Sequence, residues 1–201
     1  MQEFELLSIS HFLGFCICLA AIVFIPKAIQ SKPGLENFSK YLLVILLIEN
    51  QIRSTYIETW IKGGNLLENL PLHLCDFSAI VIAAFLLTGF RPLFIFAYFW
   101  GIAGAGMSIL TPDSEFAFPH YEYFATMYGH SLILLAVVFS IVNLGQRPYL
   151  RDIPKLILYS SILLVIMYGI NFILGANYWY LNERPYAVSY THLRAHETVG
   201  N

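Results

Sequence analysis

Long apolar runs separated by short polar connections dominate the hydrophobic pattern of this chain. A helix needs about 20 apolar residues to cross the roughly 30 Å of hydrocarbon in a bilayer. The runs are long enough to predict six spans. The predicted spans cover residues 10–29, 41–61, 72–90, 92–111, 124–144 and 153–176.

The runs are continuous, whereas the strands of a membrane barrel are short and alternate in hydrophobicity. Helices also satisfy their own backbone polar groups in lipid. We therefore predict an all-α fold, a polytopic transmembrane helical bundle forming one domain over residues 1–186. Composition agrees, because only 12% of the residues are charged, against about 25% in soluble domains. The net charge of -2 does not favour a nucleic-acid partner.

The last segment, residues 187–201, has no helical or alternating apolar pattern. Its letters VSYTHLRAHET read as the translation of a transposon-type sequencing adapter. We therefore predict that this tail is not native. An ordinary polar tail is the alternative.

The connections differ in charge from one side of the predicted membrane to the other. Cytoplasmic connections carry an excess of Lys and Arg. The first, third and fifth connections are basic, whereas the N-terminal segment and the even connections are mainly acidic. This bias predicts a multi-pass protein of the cell membrane with an extracytoplasmic N-terminus. The basic set is Lys27, Lys32, Lys40, Arg91, Arg147, Arg151 and Lys155.

Several ionisable residues lie inside or at the edge of the apolar runs. A charge at the centre of a spanning helix costs about 2.5–3.5 kcal/mol, so such residues usually face the interior of the bundle or a water-filled cavity. With the predicted orientation they converge on the outer half of the bundle, and Glu49 forms the floor of the site. The candidate binding residues are Glu49, Arg53, His73, Asp76, Asp113 and Asn177.

Cys75 follows Pro71, which suits the first turn of a helix. A helix N-terminus favours a thiolate, the nucleophilic form of cysteine. His73 and Cys75 point apart in a helix, so His130, at similar depth, is the best candidate base. A Cys/His pair suits acyl transfer through a thioester. Alternatively, Cys75 is a packed small residue, and His73 and Asp76, which share a helix face, form only a structural hydrogen bond.

Glu49 and Arg53 are four residues apart, the spacing of an ion pair along a helix. Two interpretations remain open: a pair that only fixes packing, or an anion site in which Arg53 binds a phosphate or carboxylate.

No known zinc motif matches the spacing of the candidate metal ligands, which are His73, Cys75, His120 and His130. We predict no metal and no cofactor.

Four segments carry a family resemblance: LPLHLCDFSAI, YFWGIAGAGMSILTPD, GHSLILLA and NYWYLNERP. Their order resembles that of the YwaF-type bacterial integral membrane proteins. That family is distantly similar to a eukaryotic transmembrane acyltransferase of ether-phospholipid metabolism, described as cysteine-dependent. The resemblance implies that Cys75 is a nucleophile and His130 its partner, so both are predicted as catalytic residues. Members of the family also continue past the last of these segments into a further apolar span, so the resemblance implies about seven spans in the intact gene, one more than the six here.

The leading functional hypothesis is lipid acyl transfer or acyl hydrolysis, with a membrane lipid as the partner. In the rival hypothesis the chain is a carrier or permease, and Glu49, Arg53, Asp76 and His130 form an ion or proton relay. The third is an accessory membrane protein whose polar cluster only stabilises the bundle. The oligomeric state is left open.

Overall fold

A computed structural model describes residues 3–114 and 116–182. The proposed non-native tail and any additional span lie outside these residues, so both stay predictions. The described chain is helical, with one isolated β-bridge between Glu3 and Phe116. Its α-helices are α1 (Ile9–Ile29), α2 (Pro33–Tyr56), α3 (Leu74–Thr88), α4 (Arg91–Trp100), α5 (Gly106–Leu110), α6 (Tyr121–Val142) and α7 (Ile153–Leu174).

Two π-helical turns extend these α-helices. One, Ile57–Ile61, continues α2, and the other, Gly101–Ala105, joins α4 to α5. Each of the six predicted spans therefore corresponds to one helical segment, counting α4 and α5 as a single rod. The all-α prediction of a helical membrane bundle is confirmed.

Four segments are long and apolar enough to cross a membrane: Ile9–Ile29, Arg91–Leu110, Tyr121–Val142 and Leu150–Leu174. The prediction of six full spans therefore needs qualification at α2 and α3. Helix α2 is long enough but carries several polar and charged residues. Helix α3 has 15 residues, about 22 Å at 1.5 Å per residue, which is shorter than the hydrocarbon layer.

Helix α6 lies at the centre of the bundle, against α1, α2, α3 and α4. It runs alongside α1 in the same direction: Phe4, just before α1, packs on Tyr123 near the start of α6. At the far ends, Gln30 Nε2 donates to the carbonyl of Val142 at 3.4 Å. The largest fully buried apolar side chains between these helices are Leu47, Ile82, Phe85, Phe94, Val137 and Phe139.

Helix α7 is attached at its two ends. At its start, the Arg91 guanidinium donates to both carboxylate oxygens of Asp152, at 3.0 and 2.7 Å. At its far end, Gly175 ends the helix in the left-handed region, with φ of 66°, which glycine adopts without steric cost. The chain then turns back into the bundle as a 3-10 turn, Tyr178–Tyr180.

Tyr178 is the anchor of that turn and is completely buried. The Asn171 side chain, also buried, accepts from the Tyr178 backbone N–H and donates to its carbonyl, both at 2.8 Å. The Tyr178 hydroxyl donates to the carbonyl of Leu67 at 2.7 Å and accepts from the N–H of Leu70 at 3.0 Å. Trp179 Nε1 donates to the carbonyl of Leu72 at 2.8 Å. The end of α7 therefore holds the loop that leads into α3.

Removing the Tyr178 hydroxyl should weaken this attachment. Tyr178→Phe removes the hydrogen bonds to the carbonyl of Leu67 and from the N–H of Leu70, which are both part-buried, at a cost of about 0.5–1.5 kcal/mol each. We expect a lower thermal midpoint in detergent and faster proteolysis in the loop before α3. Tyr168→Phe is the matched control, because Tyr168 lies on α7, shortly before the turn that holds Tyr178, and its side chain is exposed. Equal midpoints for the two variants would contradict this account.

Candidate functional site

Polar side chains enclose a cavity of about 470 Å³ at the end of the bundle where α2 ends and α3 and α6 begin. Its walls come from α2, the start of α3, the loop after α5 and the first half of α6. Five of the predicted site residues line it: Arg53, Cys75, Asp76, Asp113 and His130.

Arg53 forms the wall between α2 and α6. Its Nε donates to Glu49 at 3.0 Å and its Nη2 to Asn50 Oδ1 at 2.6 Å. Its Nη1 donates to the hydroxyl of Tyr121 on α6, and its guanidinium lies 5.7 Å from the centre of the Tyr128 ring. These contacts use three of the five N–H donors of an arginine. The remaining donors belong to the Nη atoms, on the edge away from Glu49.

His130 is held in one orientation by its own helix. Its Nδ1 lies 2.7 Å from the carbonyl oxygen of Thr126. A carbonyl only accepts, so Nδ1 carries the proton, and the neutral ring then has its lone pair on Nε2. Because the His130 ring lines the cavity, this tautomer is the one that suits a general base there.

Cys75 is the second residue of α3, and its sulfur packs against a π-helical turn. A Cβ atom added to Gly104 would lie 3.2 Å from Cys75 Sγ. Ser108, on the next turn, donates to the Gly104 carbonyl at 3.0 Å. Within the described residues, no hydrogen bond joins Cys75 to His130, although both line the cavity. The predicted pair therefore shares a cavity without a hydrogen bond between its two members.

Asp76 and His73 meet at the start of α3, but not in the way predicted. They were expected on one helix face, whereas His73 precedes the helix and its backbone N–H donates to Asp76 Oδ2 at 3.2 Å. Pro71 likewise lies in the loop and not in the first turn. The helix begins later because the hydrogen bonds from Tyr178 and Trp179 hold the preceding loop in place.

Two further pockets continue from the cavity. One, about 460 Å³, shares Asp76 and Asp113 with it and adds His73 and Tyr180. The other, about 640 Å³, contains His73 and Asn177. The His73 ring packs between those of Tyr178 and Tyr180, with centroids 5.1 and 5.4 Å away. His73 and Asn177 thus belong to the neighbouring pockets and not to the cavity itself.

Glu49 is not the floor of the cavity. It lies on the outward face of α2, in an apolar groove, and its side chain is 45% exposed. The helical rotation accounts for this placement, because one residue later Asn50 faces the cavity. A substrate-binding role for Glu49 stays a prediction.

Charges at the cavity rim are mutually paired. Lys62 Nζ lies 3.1 Å from Glu58 and 2.8 Å from Glu122, joining the end of α2 to the start of α6. Burial lowers the pKa of Lys62, but hydrogen bonds to the two carboxylates raise it more, so the net shift is upward. Burial also raises the pKa of the Tyr180 hydroxyl, and the nearby Asp113 carboxylate adds to the rise.

Sequence reasoning missed part of the cavity wall on α2. Gln51 and Ser54 line it and lie three residues apart, and Glu58, on the π-helical turn that continues α2, extends the same polar face. That periodicity was a usable signal. No sequence pattern indicates the contact between Cys75 and Gly104, because it joins distant parts of the chain.

Among the described residues, no group of three or more His, Cys, Asp or Glu side chains is arranged to hold a metal ion.

The long apolar helices and the polar cavity define a multi-pass helical membrane protein. Comparison with known proteins identifies the family to which the chain belongs. The model of the TMEM164 family matches residues 3–197, and the chain belongs to that family. This match does not support the YwaF-type assignment, which stays a prediction.

A similar protein comes from Treponema pallidum (strain Nichols), where it is described as an uncharacterized protein. It is 28% identical over 167 residues, which cover 83% of this chain and 68% of that protein. No solved structure matches the chain.

The packing of Gly104 against Cys75 can be tested by alkylation. In a background with Cys16 and Cys18 replaced by Ser, Gly104→Ala adds a methyl group beside the Cys75 sulfur and should slow maleimide labelling several-fold. Gly106→Ala is the control, because a Cβ there meets nothing within 4 Å. Labelling at the same rate in both variants would show that Gly104 does not shape the surroundings of the thiol.

Proposed function

We propose that this protein transfers acyl chains of membrane lipids, or hydrolyses them, through a thioester on Cys75. One observation carries the proposal: a thiol, an imidazole with its lone pair on Nε2 and a guanidinium with spare donors line a single cavity. Membership of the TMEM164 family, together with the apolar helices, supports a substrate drawn from the membrane.

In the first half-reaction the Cys75 thiol gives its proton to His130 Nε2, directly or through one water. The sulfur attacks the carbonyl carbon of a lipid ester. The tetrahedral intermediate collapses, the C–O bond to the glycerol oxygen breaks, and the proton on His130 passes to that oxygen. The products are a lysolipid and an acyl thioester on Cys75.

In the second half-reaction an acceptor hydroxyl, from another lysolipid or from water, loses its proton to His130. Its oxygen attacks the thioester carbonyl, the C–S bond breaks, and the thiolate of Cys75 recovers the proton. Arg53 binds the phosphate through its spare Nη donors. The carboxylates of Asp76 and Asp113 disfavour a phosphate deeper in the cavity, so the uncharged ester enters while the phosphate stays at the rim.

The acyl-enzyme is the direct test. Purified protein in nanodiscs should react with a phospholipid bearing an alkyne-tagged acyl chain to give a tag on Cys75 that neutral hydroxylamine releases. Cys75→Ala should abolish the tag, and Cys18→Ser is the matched control. His130→Gln should slow tagging by about 10²–10⁴-fold, the usual contribution of a general base.

Three results would overturn this function. They are acyl transfer that persists in Cys75→Ala, a tag on Cys18 in place of Cys75, and complete absence of acyl chemistry. If the last result is accompanied by pH-driven solute uptake into vesicles, the carrier hypothesis, with Asp76 and His130 as relay groups, takes its place.

We also propose that the protein lies in the cell membrane with its N-terminus and cavity outside. The support is charge: the predicted basic connections lie at the opposite end from the cavity, where cytoplasmic Lys and Arg are expected. In a cysteine-free background, membrane-impermeant maleimide on intact cells should label Leu66→Cys, in the loop before α3. Leu150→Cys, exposed at the other end, should label only after lysis. The reverse pattern would refute this orientation.

A further inference from the structure

The outward face of α2 carries an apolar stripe that begins beside the cavity. Ile45, Ile48, Ile52 and Tyr56 recur at three- and four-residue spacing, and all are exposed. They line a groove of about 660 Å³ together with Val44, Glu49 and Arg53. The groove is therefore a shallow apolar surface of α2 with one charged edge, formed by Glu49 and Arg53.

Arg53 is the residue that the groove and the cavity have in common. It bridges α2 and α6 through Tyr121, so its side chain is the partition between the outer apolar surface and the polar interior. A molecule lying in the groove would meet the cavity at this guanidinium.

The ion pair of Glu49 and Arg53 is too exposed for a surface that faces only hydrocarbon. Their side chains are 45% and 28% exposed, and a charge facing bare lipid tails is costly. The polar part of a lipid lying there removes this cost by hydrogen bonding to the Nη edge of Arg53. Glu49 already neutralises the Nε side, so a phosphate approaches from the other edge.

We propose that the groove holds one acyl chain of a membrane glycerophospholipid, with its phosphate at Arg53 and its ester directed past Arg53 into the cavity. The occupant is a lipid because the groove is apolar along one helix stripe and charged at the edge that adjoins the cavity. This inference rests on the proposed acyl chemistry for the fate of the ester, but the binding itself does not depend on Cys75.

Photo-crosslinking locates the lipid. The full chain, in phosphatidylcholine nanodiscs with a small fraction of phospholipid carrying a diazirine in its acyl chain, is irradiated, digested and mapped by mass spectrometry. Bulk lipid labels every exposed face, so the exposed α7 residues Val165, Phe172 and Ile173 give the reference level. Residues 44–56 should label above that level.

Arg53→Gln should lower the labelling of residues 44–56 about tenfold, to the α7 level, since charge-assisted hydrogen bonds hold the phosphate. Lys40→Gln removes a cation from the same helix outside the groove and should change nothing. Ile48→Trp, which fills the groove, should also displace the lipid, whereas Ile173→Trp should not.

Equal labelling of α2 and α7 in the wild type, or unchanged labelling in Arg53→Gln, would overturn the inference. The acyl-enzyme assay separates this failure from failure of the proposed function. If Cys75 is acylated normally while α2 labels like α7, the groove is wrong and the chemistry stands. If α2 labelling depends on Arg53 but no acyl-enzyme forms, the groove stands and the chemistry fails.

Discussion

The buried hydrogen bonds of Tyr178 are the constraint on which the site depends. A buried polar group without a partner costs about 1–3 kcal/mol, so the hydroxyl and backbone of Tyr178 strongly favour the one arrangement in which Leu67, Leu70 and Asn171 satisfy them. That arrangement fixes where the loop before α3 ends. It thereby determines where α3 begins and where Cys75 lies.

Two glycines then shape the cavity around the start of α3, because each lets a neighbouring side chain come close to the backbone. The π-helical turn Gly101–Ala105 presents Gly104 to the Cys75 sulfur without a side chain between them. On the opposite wall, a Cβ on Gly129 would lie 2.8 Å from Asn50 Nδ2, so α2 and α6 meet closely just where Arg53 crosses between them. π-helical turns are often found at functional sites, and here one supports the candidate nucleophile directly.

A feature of this structure could be predicted from the sequence when the residues that cause it lie close together along the chain, and not when they lie far apart. The helices were predictable because an apolar run of about 20 residues is a local signal, although the charges of α2 and the 15 residues of α3 made two spans atypical. Residues such as Arg53 and His130 stood out because charge is rare in such runs. The late start of α3 was not predictable, since it is imposed by Tyr178, 108 positions from Leu70. Glu49 was placed wrongly because its position was inferred only from its depth in the membrane, without asking which face of α2 it lies on.

The same rotation explains why α2 is the most polar of the long helices. One of its faces must be polar to line the cavity through Gln51 and Ser54, while another, at Ile45 and Ile52, is exposed and apolar. Arg53 lies at the border of the two faces. A long side chain with an apolar stem and a charged head suits such a border, because the stem packs along the helix while the guanidinium bonds to Tyr121 across the gap. The helix that is least typical of a membrane span is therefore the one that connects the polar interior of the bundle to its apolar surface.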